Sequence, residues 1–232
     1  MRTSVLASGI VLLAVAGAAA GYYGGEFTAP ATVHEVAPPA PLSARATDPP
    51  LPRKTPEPSA VPPLTTDELN FHTQNFTIHD DAGSPLGLAI RIPRGWQLTR
   101  DPKMPREVKF LDPLKERAVR VESALPPPAT STTDSMAQLV ANLKSSQPYE
   151  NDLRILSQTD EQLEANGETR TVSTLTYTYI PKKTLRYVIV RWIATDGDDN
   201  ATVEMSITGL PQDAAALRAL LLETSRSVHQ TG

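Results

Sequence analysis

The side chains in this sequence that could carry chemistry are four histidines, one serine close to a histidine and two aspartates, an aspartate-rich loop, and a string of cations. No cysteine is present, so thiol nucleophiles, cysteine-ligated metals, disulfides and a lipidated-cysteine anchor are all excluded. His34 falls in a proline-rich stretch, His72 and His79 stand near the start of patterned sequence, and His229 is in the tail. Ser84 is near His79 and Asp80-Asp81 but within one short turn, whereas a triad needs its base and orienting carboxylate held rigidly against the nucleophile; no Gly-x-Ser-x-Gly elbow occurs. No catalytic residue is expected from this set. Asp196-Gly197-Asp198-Asp199-Asn200 superficially resembles a calcium loop. An EF-hand needs glycine at its sixth and glutamate at its twelfth position, here Ala201 and Ile207, so a polar hairpin turn is expected and no metal. Without a glycine-rich phosphate loop or a dinucleotide fingerprint, no cofactor is expected either.

Charge is unevenly placed. From Arg91 to Arg120 nine basic residues face four acidic ones, and from Glu150 to Glu168 six acidic residues face Arg154 alone. Such asymmetry ordinarily serves solubility. The sharper expectation is that Arg94, Arg100, Lys103 and Arg106 form a basic lip for an anionic partner, a lipid headgroup or a polymer. A net charge of -4 and a pI near 5.6 argue against a nucleic-acid partner.

Period-two alternation supplies most of the elements that would position these residues. Strands are expected at Phe76 to Ile78, Leu86 to Ile92, Glu107 to Leu111, Arg117 to Ala124 and Leu153 to Gln162, followed by a meander of Thr171 to Ile180, Leu185 to Ala194 and Thr202 to Thr208. The middle strand of the meander is apolar at nearly every position and should be covered on both faces. Met136, Leu139, Val140 and Leu143 mark a helix capped by Thr132, Thr133 or Asp134, and Leu217, Leu220, Leu221, Thr224 and Val228 mark a closing helix. Trp96, after the Ile92-Pro93-Arg94-Gly95 turn, is expected to plug the sheet edge. These elements predict an α+β fold, mainly antiparallel sheet flanked by helices, with one continuous sheet.

The start of the chain has another character. Val5 to Ala20 is apolar or small throughout behind Arg2, an export segment within residues 1–25. Ala18-x-Ala20 suits signal peptidase, while Thr3 to Tyr23 is long enough to span a bilayer, so a cleaved signal peptide and a retained anchor both fit. Residues 26–69 hold eleven of the 22 prolines and are expected to be a disordered, semi-rigid spacer, and residues 70–232 the folded domain.

The order of these elements, a hairpin into Ile92-Pro93-Arg94-Gly95-Trp96, then Val108-Lys109-Phe110, an inserted helix, a Gly167 hairpin and a closing helix after Leu210-Pro211, resembles the Mog1/PsbP-like superfamily. Within it the sequence is most similar to the LpqN/LpqT-type envelope lipoproteins of actinobacteria, apart from the lipid-bearing cysteine it lacks. The resemblance implies a non-enzymatic accessory or binding role. The expectation is therefore an extracytoplasmic, membrane-tethered, non-catalytic binding or accessory protein, held to the membrane by its N-terminal segment, or secreted if that segment is cleaved, and binding a protein, lipid or anionic polymer of the envelope. The alternative is a small envelope hydrolase or lipid-handling protein, which would need a pocket between sheet and helices with His72 or His79 beside a carboxylate and a hydroxyl.

Overall fold

The computed structural model describes residues 51–123, 125 and 129–231. The leader and most of the proline-rich spacer therefore lie outside the described residues. Residues 53–232 form one compact unit; of residues 1–52 only Leu51 and Pro52 are described.

The chain order is β1 (Phe71–His79), β2 (Pro85–Pro93), β3 (Gln97–Thr99), β4 (Glu107–Leu111), β5 (Ala118–Ser123), α1 (Thr132–Ser146), β6 (Arg154–Ala165), β7 (Glu168–Tyr179), β8 (Arg186–Ile193), β9 (Val203–Gly209), α2 (Ala214–Ser227) and β10 (His229–Thr231). All pairings are antiparallel, and the class is α+β with sheets flanked by helices, as expected. The expectation of one continuous sheet is corrected: β1-β2-β10 form a three-stranded sheet, and β3-β4-β5-β9-β8-β7-β6 a seven-stranded one. The split arises because β2 takes the C-terminal β10 as its second neighbour, with His229 opposite Ala89, rather than joining the larger sheet.

The register of the large sheet sorts its side chains. Val119 is paired with Ile207, Val121 with Met205, Ile189 with Ile207 and Val172 with Ile193, so these share one face. Residues directly opposite in a ladder project to the same side. That face meets α2, through Leu217, Leu220 and Leu221, and the small sheet, through Ile78, Leu88, Ile90 and Ile92, in one buried cluster. The other face carries Leu175, Tyr177 and Val190, and α1 packs over β7 and β8 with Met136, Leu139, Val140 and Leu143 buried. Burial of β8 on both faces follows. The cap of α1 is Ser131, whose hydroxyl accepts from the Asp134 amide at 3.0 Å, one residue ahead of the expected set. Gly209 lets α2 close on β9: a Cβ there would stand 2.7 Å from Leu217 Cδ1.

β6 is an outer strand of the large sheet, exposed along most of its length, and a register shift between Ile155 and Ser157 bends it. Trp96 is half-buried against the core beside β3, at the opposite margin. Among the described residues no helix is long and apolar enough to cross a membrane.

Residues 53–64, read from sequence as spacer, lie along the folded unit without helix or strand of their own. Lys54 donates its amide to Glu150 O at 2.9 Å and Glu57 donates to Lys183 O at 2.8 Å. The Leu64 amide donates to Asp213 Oδ1 at 2.8 Å. This strap crosses the end of the large sheet where the β4–β5 and β7–β8 turns and the start of α2 meet. Prolines suit such a run, since they carry no amide N–H that would need a partner, leaving the few amides of Lys54, Glu57 and Leu64 to make the attachments.

Candidate functional site

Among the described residues this frame builds two polar constellations and a cleft. The first fastens the strap. Arg117, buried at the foot of β5, donates from Nε to Asp213 Oδ2 at 2.7 Å, from Nη2 to Asp213 Oδ1 at 2.9 Å and to Pro62 O at 2.5 Å, and from Nη1 to Asp112 Oδ2 at 3.2 Å. Asp213 also accepts from the Leu210 amide at 3.1 Å. Burial would raise the Asp213 carboxyl, but Arg117 and the amides of Leu64 and Leu210 outweigh it and hold it below the usual range. The hydrogen bonds from Arg117 to Asp213 hold the guanidinium above its ordinary value in turn.

The second lies on the face of the large sheet turned away from α2. Glu107 stands opposite Glu122, and Glu122 opposite Glu204, which would repel without a cation among them. Arg120 supplies it: Nη1 donates to Glu107 at 3.0 Å and Glu122 at 2.9 Å, and Nη2 to Glu204. Trp192 Nε1 donates to Glu204 at 2.9 Å, and Lys109 Nζ lies 2.9 Å from Glu107. Burial opposes the Arg120 charge, yet the carboxylates of Glu204, Glu122 and Glu107 prevail and push its pKa up. Burial raises the Glu122 carboxyl, with Arg120 pulling the other way. Sequence alternation places Arg120 and Glu122 opposite the apolar valines but gives no sign that both are buried.

The cleft, of about 430 Å³, lies at the end of the large sheet away from the strap. Its lining includes Leu86 and Gln230 of the small sheet, Ser123 at the head of β5, Ser135 of α1, and Asp196 and Asp198 of the β8–β9 turn. The Asp198 carboxylate accepts the Asn200 amide at 2.8 Å, and Gly197 takes φ 82°, so the turn is closed by its own side chains. Ser123 Oγ donates to Thr202 O at 2.9 Å. Among the described residues the lining carries carboxylates, hydroxyls and amides beside Leu86 and Leu125, with no cationic side chain, which suits a neutral or positively charged, hydrogen-bonding partner. Among the described residues no group of three or more histidines, aspartates and glutamates is placed to hold a metal ion.

The four cations expected to form a lip are not brought together. The amide of Arg94 donates to Asn70 O beside the first residue of β1, while Arg100 reaches Thr77 O and the residue before Arg106 accepts from the His79 amide, both near its last. Six residues of strand separate the Phe71 and Thr77 ends by about 20 Å. Arg106 is buried between Asp81 and Glu122, with Nη2 3.7 Å from Glu122 Oε1, so it serves the second constellation. Lys103 is exposed in the β3–β4 turn. Spacing within a loop did not reveal that the loop runs the length of a strand.

Among the described residues the histidines are not gathered at the cleft, and His34 lies outside those residues. His72 Nδ1 lies 3.0 Å from Ile92 O across the β1–β2 ladder, and neither His72 nor His79 lines the cleft. Asp80, close to Ser84 in sequence, is engaged by the Ser84 and Ala82 amides at 2.7 and 2.9 Å, which hold its carboxyl below the usual range. Its role is to close the hairpin.

No family model matches the sequence, and no curated protein matches it. Among solved structures the chain is similar to the Ran-binding protein Mog1p of Saccharomyces cerevisiae, with a TM-score of 0.42 and 13% identity over 68% of this chain and 96% of that one. It is also similar to a protein of unknown function from Pseudomonas aeruginosa, with a TM-score of 0.38 and 15% identity over 65% of this chain and 94% of the other. At such identity the similarity concerns the fold, and neither a partner nor an activity passes from those proteins to this one.

Proposed function

We propose that this protein is an extracytoplasmic, membrane-tethered, non-catalytic binding module of the cell envelope, of the LpqN/LpqT type. It presents its cleft on the side away from its attachment. The observation that carries the reading is the opposition of strap and cleft. β9 begins beside the cleft at Val203 and ends beside the strap at Gly209, about 20 Å apart at strand rise. A chain arriving from an N-terminal anchor is fixed by Arg117 and Asp213 at one end of the domain, leaving the acidic cleft free at the other. The apolar run Val5 to Ala20 and the proline-rich segment that follows it support the tether.

The acid-lined cleft selects a cationic or hydroxyl-rich envelope component rather than an anion. The test is photo-crosslinking from position 200 in intact envelopes, comparing the natural protein with a variant carrying Asp196→Asn and Asp198→Asn. A crosslinked species that falls at least tenfold in the variant is expected. Crosslinking indifferent to those carboxylates would remove the cleft from consideration, and release of a chemically altered product would favour an enzyme.

A further inference from the structure

We propose that the strap end of the domain is a docking surface for an anionic lipid bilayer, so that the module rests on the membrane with its cleft facing outward. Three independent features converge there. Leu114 in the β4–β5 turn, Tyr149 after α1 and Leu156 at the bend of β6 are 55%, 50% and 52% exposed, three of the five exposed large apolar side chains among the described residues, spread along one end of the large sheet from the β4–β5 turn to the outer strand β6.

Cations accompany them. Arg94 at the strap end of the β1–β2 hairpin, Lys115 beside Leu114, Lys144 in the last turn of α1 and Lys182 in the β7–β8 turn have no carboxylate within ion-pairing distance among the described residues. Lys115 holds a positive φ of 57° because the Asp112 carboxylate ties down the amides of Glu116 and Arg117, which fixes the turn as a projecting knuckle. At the far end, Asp196, Asp198 and Asp199 crowd one turn, against Arg100 and Lys103 in the β3–β4 loop. A domain with this distribution would orient in the field of an anionic surface, lysine end inward.

The third feature is connectivity. Arg53, the first residue of the compact unit, lies at this end, its Nη1 2.7 Å from Asp152 and its Nη2 2.9 Å from Tyr149 Oη. The chain toward the apolar N-terminal run therefore departs from the same end that carries the exposed leucines and free lysines. The proposal takes its direction from the tether reading, but its energetics come from the surface itself: apolar side chains enter the headgroup layer while lysines meet lipid phosphate.

Because the protein has no cysteine, single introduced thiols can be labelled uniquely in the full chain. Leu114→Cys and Asp198→Cys, each carrying an environment-sensitive dye, would be mixed with vesicles of phosphatidylcholine containing phosphatidylglycerol, and flotation scored on the same samples. The expected result is a blue shift at position 114, quenching there by lipid-borne spin labels, and neither at position 198. Each replacement of Lys115 or Lys182 by glutamate should lower the docked fraction roughly fivefold. Flotation without a shift at 114, or equal shifts at both positions, would overturn the docking surface while leaving the tether standing. A lysine-dependent shift at 114 in a chain whose leader has been cleaved would do the reverse. Absence of both flotation and shift would overturn both.

Discussion

Glu122 faces Glu107 and Glu204 across two ladders, with Arg120 between them, Arg106 alongside and Trp192 closing one side. Its carboxyl is raised by folding from 4.5, so between that value and its folded value the native state holds more protons than the unfolded chain. Stability therefore falls as pH rises through this window, and the loss persists above it. Replacing Glu122 with glutamine fixes the neutral form while keeping an acceptor for Arg120. We expect Glu122→Gln to be neutral or stabilising at pH 7 in urea unfolding, with the difference shrinking as pH falls toward 4.5. A large destabilisation at pH 7 would show that its charge is needed to balance Arg120. Asp213 works in the opposite sense. Its carboxyl is lowered from 3.8, so its contribution is present above that value and is lost as pH falls through the depressed one. Asp213→Ala leaves Arg117 charged and buried beside Asp112 alone, and should cost about 3–5 kcal/mol in the same assay.

At the level of elements, the strap is where composition and structure part company. Its prolines are plain in the sequence, and so is their extended preference, but its attachments are backbone groups meeting Arg117, Asp213, Glu150 and Lys183, which no hydrophobic pattern records. The helices and the meander were legible because a stripe such as Met136, Leu139, Val140 and Leu143, or the alternation in Val203, Met205 and Ile207, is imposed by the same burial that stabilises them. β3 and β10 were not, since three residues are too few to show a period. Amide exchange followed by NMR should find the Leu64 amide protected at neutral pH and released before the core strands on acidification, as Asp213 protonates. Loss of all protection together would mean that the strap is integral to the fold. A separate constraint sits at Gly209, where a methyl group must push Leu217 aside within the packed core. Gly209→Ala should cost about 1–3 kcal/mol, read from the urea midpoint.

For the molecule as a whole, one buried cluster runs from Ile78 and Ile90 of the small sheet through α2 to Ile189 and Met205 of the large one. Shared packing on that scale predicts one cooperative transition. Far-ultraviolet circular dichroism and the fluorescence of Trp192, isolated by Trp96→Phe, should give coincident denaturation curves. Ile90→Ala should displace both equally, by about 2–5 kcal/mol. The division into two sheets was hidden from the sequence because it depends on the last described residues returning to β2, a pairing set by tertiary packing rather than local pattern. The candidate site was hidden for a related reason: Leu86, Ser123, Asp198 and Gln230 belong to four separate segments and share no motif.

The outer border of the large sheet has a bearing on behaviour at high concentration. β6 extends for twelve residues with its far side unpaired among the described residues, long enough to recruit another molecule's backbone. Asp160 and Glu164, together with the bend at Ile155, make that border repel its own likeness, Glu161 being paired with Arg191, so two copies brought together on a crowded surface would resist fusing into a common fibril.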